Sequence, residues 1–351
     1  MKKTIVICTN HHTPAIKLIE QLKKDKRYQW RIEYISHLHS RETHIKNSIL
    51  PLKIKFHQFE SNKFDRFHPI KSTFSLPQII PAIKKARRLI KRIKPDLIIS
   101  FGGYTSIPII IASYFQKIPC ITHEQTSTFS LATIINSFFV NKVALSFPAN
   151  KGLFPFLFAR KISLTGNLLR SEIYSLSTKN YKKIQTPFIY VTGGSQGAKV
   201  INQNVLALID KLGPKTRIIH NTGQLDYPSI IKETKNKANY YPTPYINLDD
   251  IGWVLNNASL IISRAGANTC QEIVALKKNA ILIPLPKSQQ DEQLKNALWV
   301  KKQLTQTIII SQDKLTPDLL LKKIKIHRQQ TPSSIERKDN LKVLQLIHSL
   351  V

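Results

Sequence analysis

Leu260-Ile261-Ile262-Ser263-Arg264-Ala265-Gly266-Ala267-Asn268-Thr269-Cys270-Gln271-Glu272 is an apolar strand that runs through a turn of small residues into a helix. Small residues at 265 to 267 let a ligand approach the backbone. The helix beginning near Asn268 directs free N–H groups and the positive end of its dipole at whatever sits there. Glu272 falls one turn in. A carboxylate there does not suit the phosphates that a helix N-terminus favours, but it suits a neighbouring pair of hydroxyls such as those of a ribose. The same pattern also fits an ordinary strand-turn-helix joint with a surface Glu.

A second segment of the same design shifts the balance toward a ligand site. Phe188-Ile189-Tyr190-Val191-Thr192 is a strand by its β-branched and aromatic content, and Gly193-Gly194-Ser195-Gln196-Gly197-Ala198 follows it directly. This loop is expected to open a helix running to about Leu212. The whole chain has only 11 Gly, so the cluster at 193, 194 and 197 marks backbone that needs positive φ or close contact with a ligand. The loop is a candidate diphosphate cradle, with Ser195 as a hydroxyl donor. It is neither a P-loop, lacking Gly-Lys-Ser/Thr, nor a G-x-G-x-x-G fingerprint.

At 351 residues the chain is long enough for two domains with sizeable cores, and 42% hydrophobic content excludes general disorder. No segment reaches the run of about 18 apolar residues that a membrane span needs. Met1-Lys2-Lys3 precedes an apolar run too short for a signal peptide and without a small-residue cleavage site, so it reads as the start of the first strand. Cys8, Cys120 and Cys270 are odd in number, far apart and set in apolar segments. They suit buried reduced thiols rather than bridges or a metal site, and a cytosolic setting. The net charge of +32, from 53 Lys+Arg against 21 Asp+Glu, calls for an anionic partner or surface. Abundant Lys, Ile and Asn with scarce Gly is also what AT-rich coding produces. Zinc-finger spacing, an aromatic RNA-binding signature and a basic helix-turn-helix are all missing, so no nucleic-acid partner is expected.

In chain order, Ile5 to Cys8 is the first strand and Pro14 to Lys23 a helix with Ile16, Leu18, Ile19 and Leu22 on its apolar face. Between them Thr9-Asn10-His11-His12-Thr13 occupies the edge where doubly wound sheets bind ligands. A histidine there is a candidate general base, or simply a solvated loop residue. Trp30 to Ser36 and Leu52 to Phe56 are further strands. Ile79, Ile83, Ala86, Ile90 and Ile93 keep helical spacing, while Lys84, Lys85, Arg87, Arg88, Lys91, Arg92 and Lys94 fill the other faces. That helix is either core-packed with a solvated basic face or held against anionic lipid, with Phe67, Phe74 and Leu76 available for shallow insertion.

Pro95 to Ser100 is a buried parallel strand followed by a Gly-containing turn at 101 to 106. The strand Cys120-Ile121-Thr122 carries His123-Glu124-Gln125-Thr126 at its carboxyl end, where polar groups belong to a site. Val143 to Ser146 and Lys161 to Leu164 close a first domain of residues 1–170. Residues 171–187, rich in Ser, Thr, Lys and Tyr, read as a linker. A second domain, 188–332, repeats the plan with strands near 188, 217, 239, 260, 281 and 307. A last helix from about Ser333 to Leu350, in the segment 333–351, is a candidate to pack back on the first domain. Strands alternating with helices make the class α/β with parallel sheets.

With these residues in hand the chain resembles the MurG family, transferases that add N-acetylglucosamine from its UDP form to the undecaprenyl-linked muramyl-pentapeptide of cell-wall synthesis. The resemblance spans nearly the full length. It rests on Phe101-Gly102-Gly103-Tyr104, His123-Glu124-Gln125, Thr165-Gly166-Asn167 with Arg170, Gly193 to Ala198, Arg264 to Ala267 with Thr269 and Glu272, and Asp291 with Gln293, Asn296 and Ala297. It implies two Rossmann-like domains facing one another across a cleft (the GT-B arrangement), inverting transfer without metal or cofactor, and peripheral attachment to the cytoplasmic face of the cell membrane. Carried over by motif, Arg170, Ser195, Leu248, Ala267, Asn268, Thr269, Cys270, Gln271, Glu272 and Gln293 line the UDP-sugar site. In that reading Ser195 takes the diphosphate, Glu272 the ribose hydroxyls, and Leu248 offers backbone atoms to the uracil.

In the first domain the family's acceptor loop is a glycine-rich run ending in a His three residues before a Pro, which selects His11 with Pro14 here. Thr9 and Asn10 stand where the family has glycines, Thr126 where it has Asn, Leu168 where it has Pro, and Ser130 where it has Gly. The implied reaction has His11 as the base that takes the proton of the acceptor hydroxyl, with His12 and Glu124 as rivals. Helix N-termini and Arg170 stabilise the departing UDP. The implied partners are UDP-N-acetylglucosamine, the undecaprenyl-linked muramyl-peptide acceptor and an anionic membrane surface. Two alternatives stay open: a related transferase with another lipid acceptor, such as a diacylglycerol, and an inactive membrane-bound scaffold that binds UDP-sugar.

Overall fold

The computed structural model describes residues 1–9, 12–37, 52–60, 76–148, 153–194, 196–286, 291–327 and 340–351. The chain forms two compact units, residues 1–170 with 340–351, and residues 171–339.

In the first unit the strands β1 (Lys2–Cys8), β2 (Gln29–Ser36), β3 (Lys55–Gln58), β4 (Leu97–Ser100), β5 (Cys120–Glu124), β6 (Lys142–Leu145) and β7 (Ile162–Leu164) pair in the order β3-β2-β1-β4-β5-β6-β7. All pairings are parallel. The helices are α1 (His12–Lys24), α2 (Leu76–Ile93), α3 (Ser106–Tyr114), α4 (Leu131–Phe139) and α5 (Leu153–Phe158). Successive side chains of a strand face opposite ways, and β1 uses this to fill two cores. Ile5 and Ile7 pack with Leu18, Ile19 and Leu22 of α1, whereas Val6 and Cys8 pack with Ala86 and Ile90 of α2 and Ile109 of α3. A sheet covered on both faces needs the continuous apolar runs seen in β1 and β4.

The third strand begins three residues later than its pattern predicts, at Lys55 rather than Leu52. Lys53 takes a left-handed φ of 48°, which breaks the extended run, while Leu52 and Ile54 still pack against the core.

The C-terminal helix α12 (Lys342–His348) belongs to this unit, with Val343 and Ile347 fully buried in the cluster of Ile5, Leu18 and Tyr34. Burying each such side chain contributes about 1.5–3 kcal/mol. Asn340 anchors its start, donating from Nδ2 to the carbonyls of Thr165 (2.7 Å) and Asn167 (3.0 Å). At its end His348 Nε2 lies 2.8 Å from Asp25 Oδ2.

In the second unit β8 (Phe188–Thr192), β9 (Ile218–Asn221), β10 (Tyr240–Thr243), β11 (Ala258–Ser263), β12 (Ala280–Leu282) and β13 (Ile308–Ile309) form a parallel sheet in the order β10-β9-β8-β11-β12-β13. Its helices are α6 (Lys199–Leu206), α7 (Tyr227–Glu233), α8 (Leu248–Asn257), α9 (Ala267–Ala275), α10 (Glu292–Gln303) and α11 (Pro317–His327). Residues 171–187 cluster with this unit. The 3₁₀ turn Ser171–Tyr174 packs so tightly on α8 that a Cβ on Gly252 would lie 2.0 Å from the carbonyl oxygen of Glu172. The buried Asp250 carboxylate accepts from Thr178 Oγ1 (2.5 Å), Lys179 N (2.7 Å) and Asn180 Nδ2 (2.6 Å).

All three cysteines are buried thiols, and burial pushes Cys8 up to about 12. Among the described residues no group of His, Cys, Asp and Glu is placed to hold a metal ion, and no helix is long and apolar enough to cross a membrane.

Candidate functional site

Open parallel sheets bind ligands beyond the carboxyl ends of the strands, where the strand order reverses direction. In the second unit that point lies between β8 and β11, whose last residues Thr192 and Ser263 pair directly. The glycine loop follows β8. Gly194 and Gly197 take φ of 89° and 78°, and a Cβ on Gly193 would lie 2.2 Å from Ala198 N, so each glycine meets a backbone requirement. Gly194 N donates to Thr192 Oγ1 (3.0 Å) and Gly197 N to Gly194 O (3.2 Å). Asn221, at the end of β9, reaches across to donate to Thr192 Oγ1 (3.2 Å) and Gly194 O (3.3 Å). Ser195 lies outside the described residues. The helix that the loop opens is α6, which ends at Leu206, six residues short of the expected Leu212; Ala207 closes it, and a separate 3₁₀ turn follows at Ile209–Leu212.

The turn after β11 leads into α9, capped by Gly266 in extended conformation (φ −64°, ψ 146°). The first helical bond runs from Cys270 N to Gly266 O (2.9 Å), so the N–H groups ahead of it point out of the helix end. Side chains behind the turn fix it. Asn296 Nδ2 donates to Ala265 O (3.1 Å), and the Arg264 guanidinium donates to Ile283 O (3.2 Å), Pro284 O (3.3 Å) and Gln312 Oε1 (2.6 Å). Gln293 Oε1 accepts from Leu285 N (3.0 Å).

Within the run 267–272, Asn268 and Thr269 are half-buried, while Cys270 turns its thiol into the core and offers a ligand backbone alone. Gln271 is buried, and Glu272 is 5% exposed, which removes the solvated-surface reading of that carboxylate. Leu248 opens α8 and is exposed.

In the first unit the strand order reverses between β1 and β4. Thr9 is buried and donates its N–H to Ile35 O (3.1 Å); Asn10 and His11 lie outside the described residues. His12 opens α1 as a buried ring with Nδ1 2.8 Å from the Tyr34 hydroxyl, which ties it to the core side of the helix. After β4, Gly102 and Gly103 take positive φ, and Gly102 N donates to Ser100 Oγ (3.1 Å).

His123, at the end of β5, has Nε2 3.2 Å from Gly166 O, an acceptor only, so Nε2 carries the proton. Burial pushes its pKa down to about 4 and keeps the ring neutral. The Glu124 carboxylate accepts from the N–H groups of Gln125 (3.0 Å), Thr126 (3.2 Å) and Ser130 (2.9 Å), closing the loop that follows β5. Gln125 Nε2 donates to Phe101 O (3.2 Å), joining that loop to the glycine turn. Arg170 is the last residue before the chain enters the second unit.

Residues 11–145 match the Glycosyltransferase family 28 N-terminal domain, and residues 188–350 match the Glycosyltransferase family 28 C-terminal domain. A UDP-N-acetylglucosamine--N-acetylmuramyl-(pentapeptide) pyrophosphoryl-undecaprenol N-acetylglucosamine transferase from Clostridium tetani is 30% identical over 334 residues, 92% of this chain and 89% of the relative. A relative of the same name from Clostridium novyi is 32% identical over 323 residues, 90% of this chain and 86% of its own. The chain belongs to the MurG family. Its fold is shared with the crystal structure of Acinetobacter baumannii MurG (TM-score 0.71, 21% identity, 99% of each chain). It is also shared with a UDP-GlcNAc 2-epimerase from Neisseria meningitidis bound to UDP-GlcNAc (TM-score 0.64, 15% identity, 100% of this chain and 99% of that one).

Within this MurG-family chain the structure brings the glycine loop and the α9 N-terminus onto adjacent strand ends. It adds residues that the sequence reading left without a role. Arg264 and Asn296 were legible only as motif positions, because their partners are backbone carbonyls distant in sequence. Asn221 carried the signal that singled out His123, a polar side chain at the carboxyl end of a parallel strand.

Proposed function

We propose that this glycosyltransferase moves N-acetylglucosamine from UDP-N-acetylglucosamine to undecaprenyl-pyrophosphoryl-N-acetylmuramyl-pentapeptide with inversion at the anomeric carbon. The observation that carries this reading is the pairing, at one switch point, of a positive-φ glycine loop with a helix N-terminus that bears a buried carboxylate. The loop and Ser195 receive the diphosphate, the N-terminus of α9 favours its charge, and Glu272 takes the ribose hydroxyls. Leu248 supports the uracil from the start of α8, and Gln293 completes the donor site of the second unit. His11 takes the proton of the acceptor hydroxyl as that oxygen attacks the anomeric carbon; the C–O bond to UDP breaks, and UDP carries away the electron pair. Glu124, with both oxygens engaged by its own loop, shapes the acceptor side through Thr126 rather than acting as the base.

The membrane surface is the proposed site of action. Tyr114 and Phe115 at the end of α3, Phe138 at the end of α4, and Phe156 and Leu157 in α5 are all exposed. Tyr114 packs edge-on against Phe139 (5.5 Å), and Phe138 packs edge-on against the buried Phe158 (5.0 Å). Exposed aromatic groups, with Lys161 reaching the Phe138 carbonyl (3.5 Å), and the exposed Lys/Arg residues of α2 are each features that suit an anionic interface; Phe67 and Phe74 lie outside the described residues.

An acceptor screen with labelled UDP-N-acetylglucosamine tests the whole reading. Label transfer to the undecaprenyl-linked muramyl-peptide is expected. Transfer to diacylglycerol instead would replace the acceptor, and tight UDP binding without any turnover would make the chain a scaffold.

A further inference from the structure

Beneath the glycine loop lies a buried polar chain that none of the ligand-facing roles uses. Asn202, on α6, is 1% exposed, and its Nδ2 donates to Thr222 O (2.9 Å) and to Asp226 Oδ2 (2.7 Å). Both of those atoms accept only, so the amide orientation is fixed and Oδ1 must face His220 Nε2, 3.0 Å away. Oδ1 is an acceptor; Nε2 therefore carries the hydrogen, and Nδ1 accepts from the Tyr240 hydroxyl at 2.6 Å. Burial pushes the His220 pKa down to about 3, so the ring stays neutral in this single tautomer.

The chain Tyr240–His220–Asn202 thus runs from β10 through β9 to the helix opened by the glycine loop. It ends on the 222–226 loop, which interlocks with the glycine loop. A Cβ on Gly197 would lie 2.0 Å from Thr222 O, and one on Gly223 would lie 2.3 Å from Gln196 O. Nothing softer than backbone separates the two loops. A shift of Thr222 is therefore passed on to Gly197.

We infer that His220 and Tyr240 are positioning residues for the donor diphosphate, acting through Asn202 to set the 222–226 loop and with it the glycine loop. This rests on the donor-site reading above. It accounts for a neutral, tautomer-locked histidine one strand away from the loop, where an apolar residue would satisfy the core alone.

The test compares His220→Phe, His220→Gln and Tyr240→Phe with the wild type, using UDP calorimetry and steady-state kinetics with both substrates. His220→Phe keeps the ring volume and strands the Asn202 amide oxygen. It is expected to raise the UDP Kd and the UDP-N-acetylglucosamine KM about tenfold, the effect of one buried hydrogen bond. The kcat and the acceptor KM are expected to stay within about twofold. His220→Gln, which restores an N–H toward Asn202, should recover most of the affinity, and Tyr240→Phe should lose about threefold.

A lower melting temperature with unchanged UDP affinity would reduce the network to core stability and overturn the inference. Should His220→Phe fail to fold, Tyr240→Phe decides on affinity and imidazole ¹⁵N shifts decide on the tautomer. Hydrogen on Nδ1 would contradict the chain of donors. Wild-type protein that binds no UDP would instead fell the donor reading itself, and this inference with it.

Discussion

Gly197 and Gly223 occupy each other's side-chain space: a Cβ on Gly223 would lie 2.8 Å from Cα of Gly197, and one on Gly197 3.0 Å from Cα of Gly223. Both residues also hold positive φ, 78° and 83°. Gly197→Ala therefore combines a left-handed Cβ penalty of about 1–2 kcal/mol with a contact that only backbone movement relieves. UDP affinity should fall at least about tenfold in calorimetry, together with a lower melting temperature. A Gly197→Ala protein with normal affinity would show that the loop tolerates displacement and does not grip the diphosphate.

Glu272→Ala is expected to weaken UDP-sugar binding by about 1 to 3 kcal/mol, the worth of hydrogen bonds to a charged group. The comparison by calorimetry includes 2′-deoxy-UDP, for which wild type and variant should converge. Equal losses with both ligands would move Glu272 from the ribose to a purely structural place.

His11→Ala should lower kcat by about 10²- to 10⁴-fold, the usual contribution of a general base, with UDP affinity nearly intact. His12 is already committed to Tyr34 at 2.8 Å and is expected to act on stability more than on kcat. A His12→Ala enzyme crippled in kcat beside a healthy His11→Ala enzyme would exchange the two roles.

Acid should loosen the C-terminal helix from the first unit. Desolvation raises the Asp25 pKa, but hydrogen bonds from Trp30 Nε1, the Arg27 N–H and His348 outweigh it and hold the carboxyl below its usual range. A depressed folded pKa means stability that is fully present above the unfolded value and lost as pH falls through the folded one. Asp25→Asn should thus lower the melting temperature at neutral pH, and the gap to wild type should close in acid. A gap independent of pH would assign the loss to packing.

Reversing Arg87, Arg88, Lys91 and Arg92 on the exposed face of α2 should abolish most sedimentation with anionic vesicles. Wild-type binding should weaken as salt rises, since each basic residue near such a surface contributes about 1 kcal/mol and is screened. Equal partition onto neutral vesicles would shift the attachment to the exposed aromatic groups around Phe115 and Phe156.

The parallel sheets were legible because buried strands such as Ile5–Cys8 and Leu97–Ile99 are unbroken apolar runs, and the glycine loop after β8 because glycines are scarce enough elsewhere to stand out. What stayed hidden depends on neighbours far along the chain. Nothing in Ser171–Pro187 announces that Asp250 will collect its hydroxyls and amides, and nothing around Glu124 announces that three N–H groups will fold back onto its carboxylate. The delayed third strand turns on one left-handed lysine, a conformation that pattern and propensity do not register.

Because Val343 and Ile347 complete the core around Ile5 and Leu18, the second unit is an insertion within the first, and the chain's two ends belong to one body. During synthesis the first unit therefore cannot complete its core until the Lys342–His348 helix has emerged, while the second can close earlier. The half read first is the half finished last, its apolar face around Ile5 and Leu18 uncovered until Val343 and Ile347 arrive.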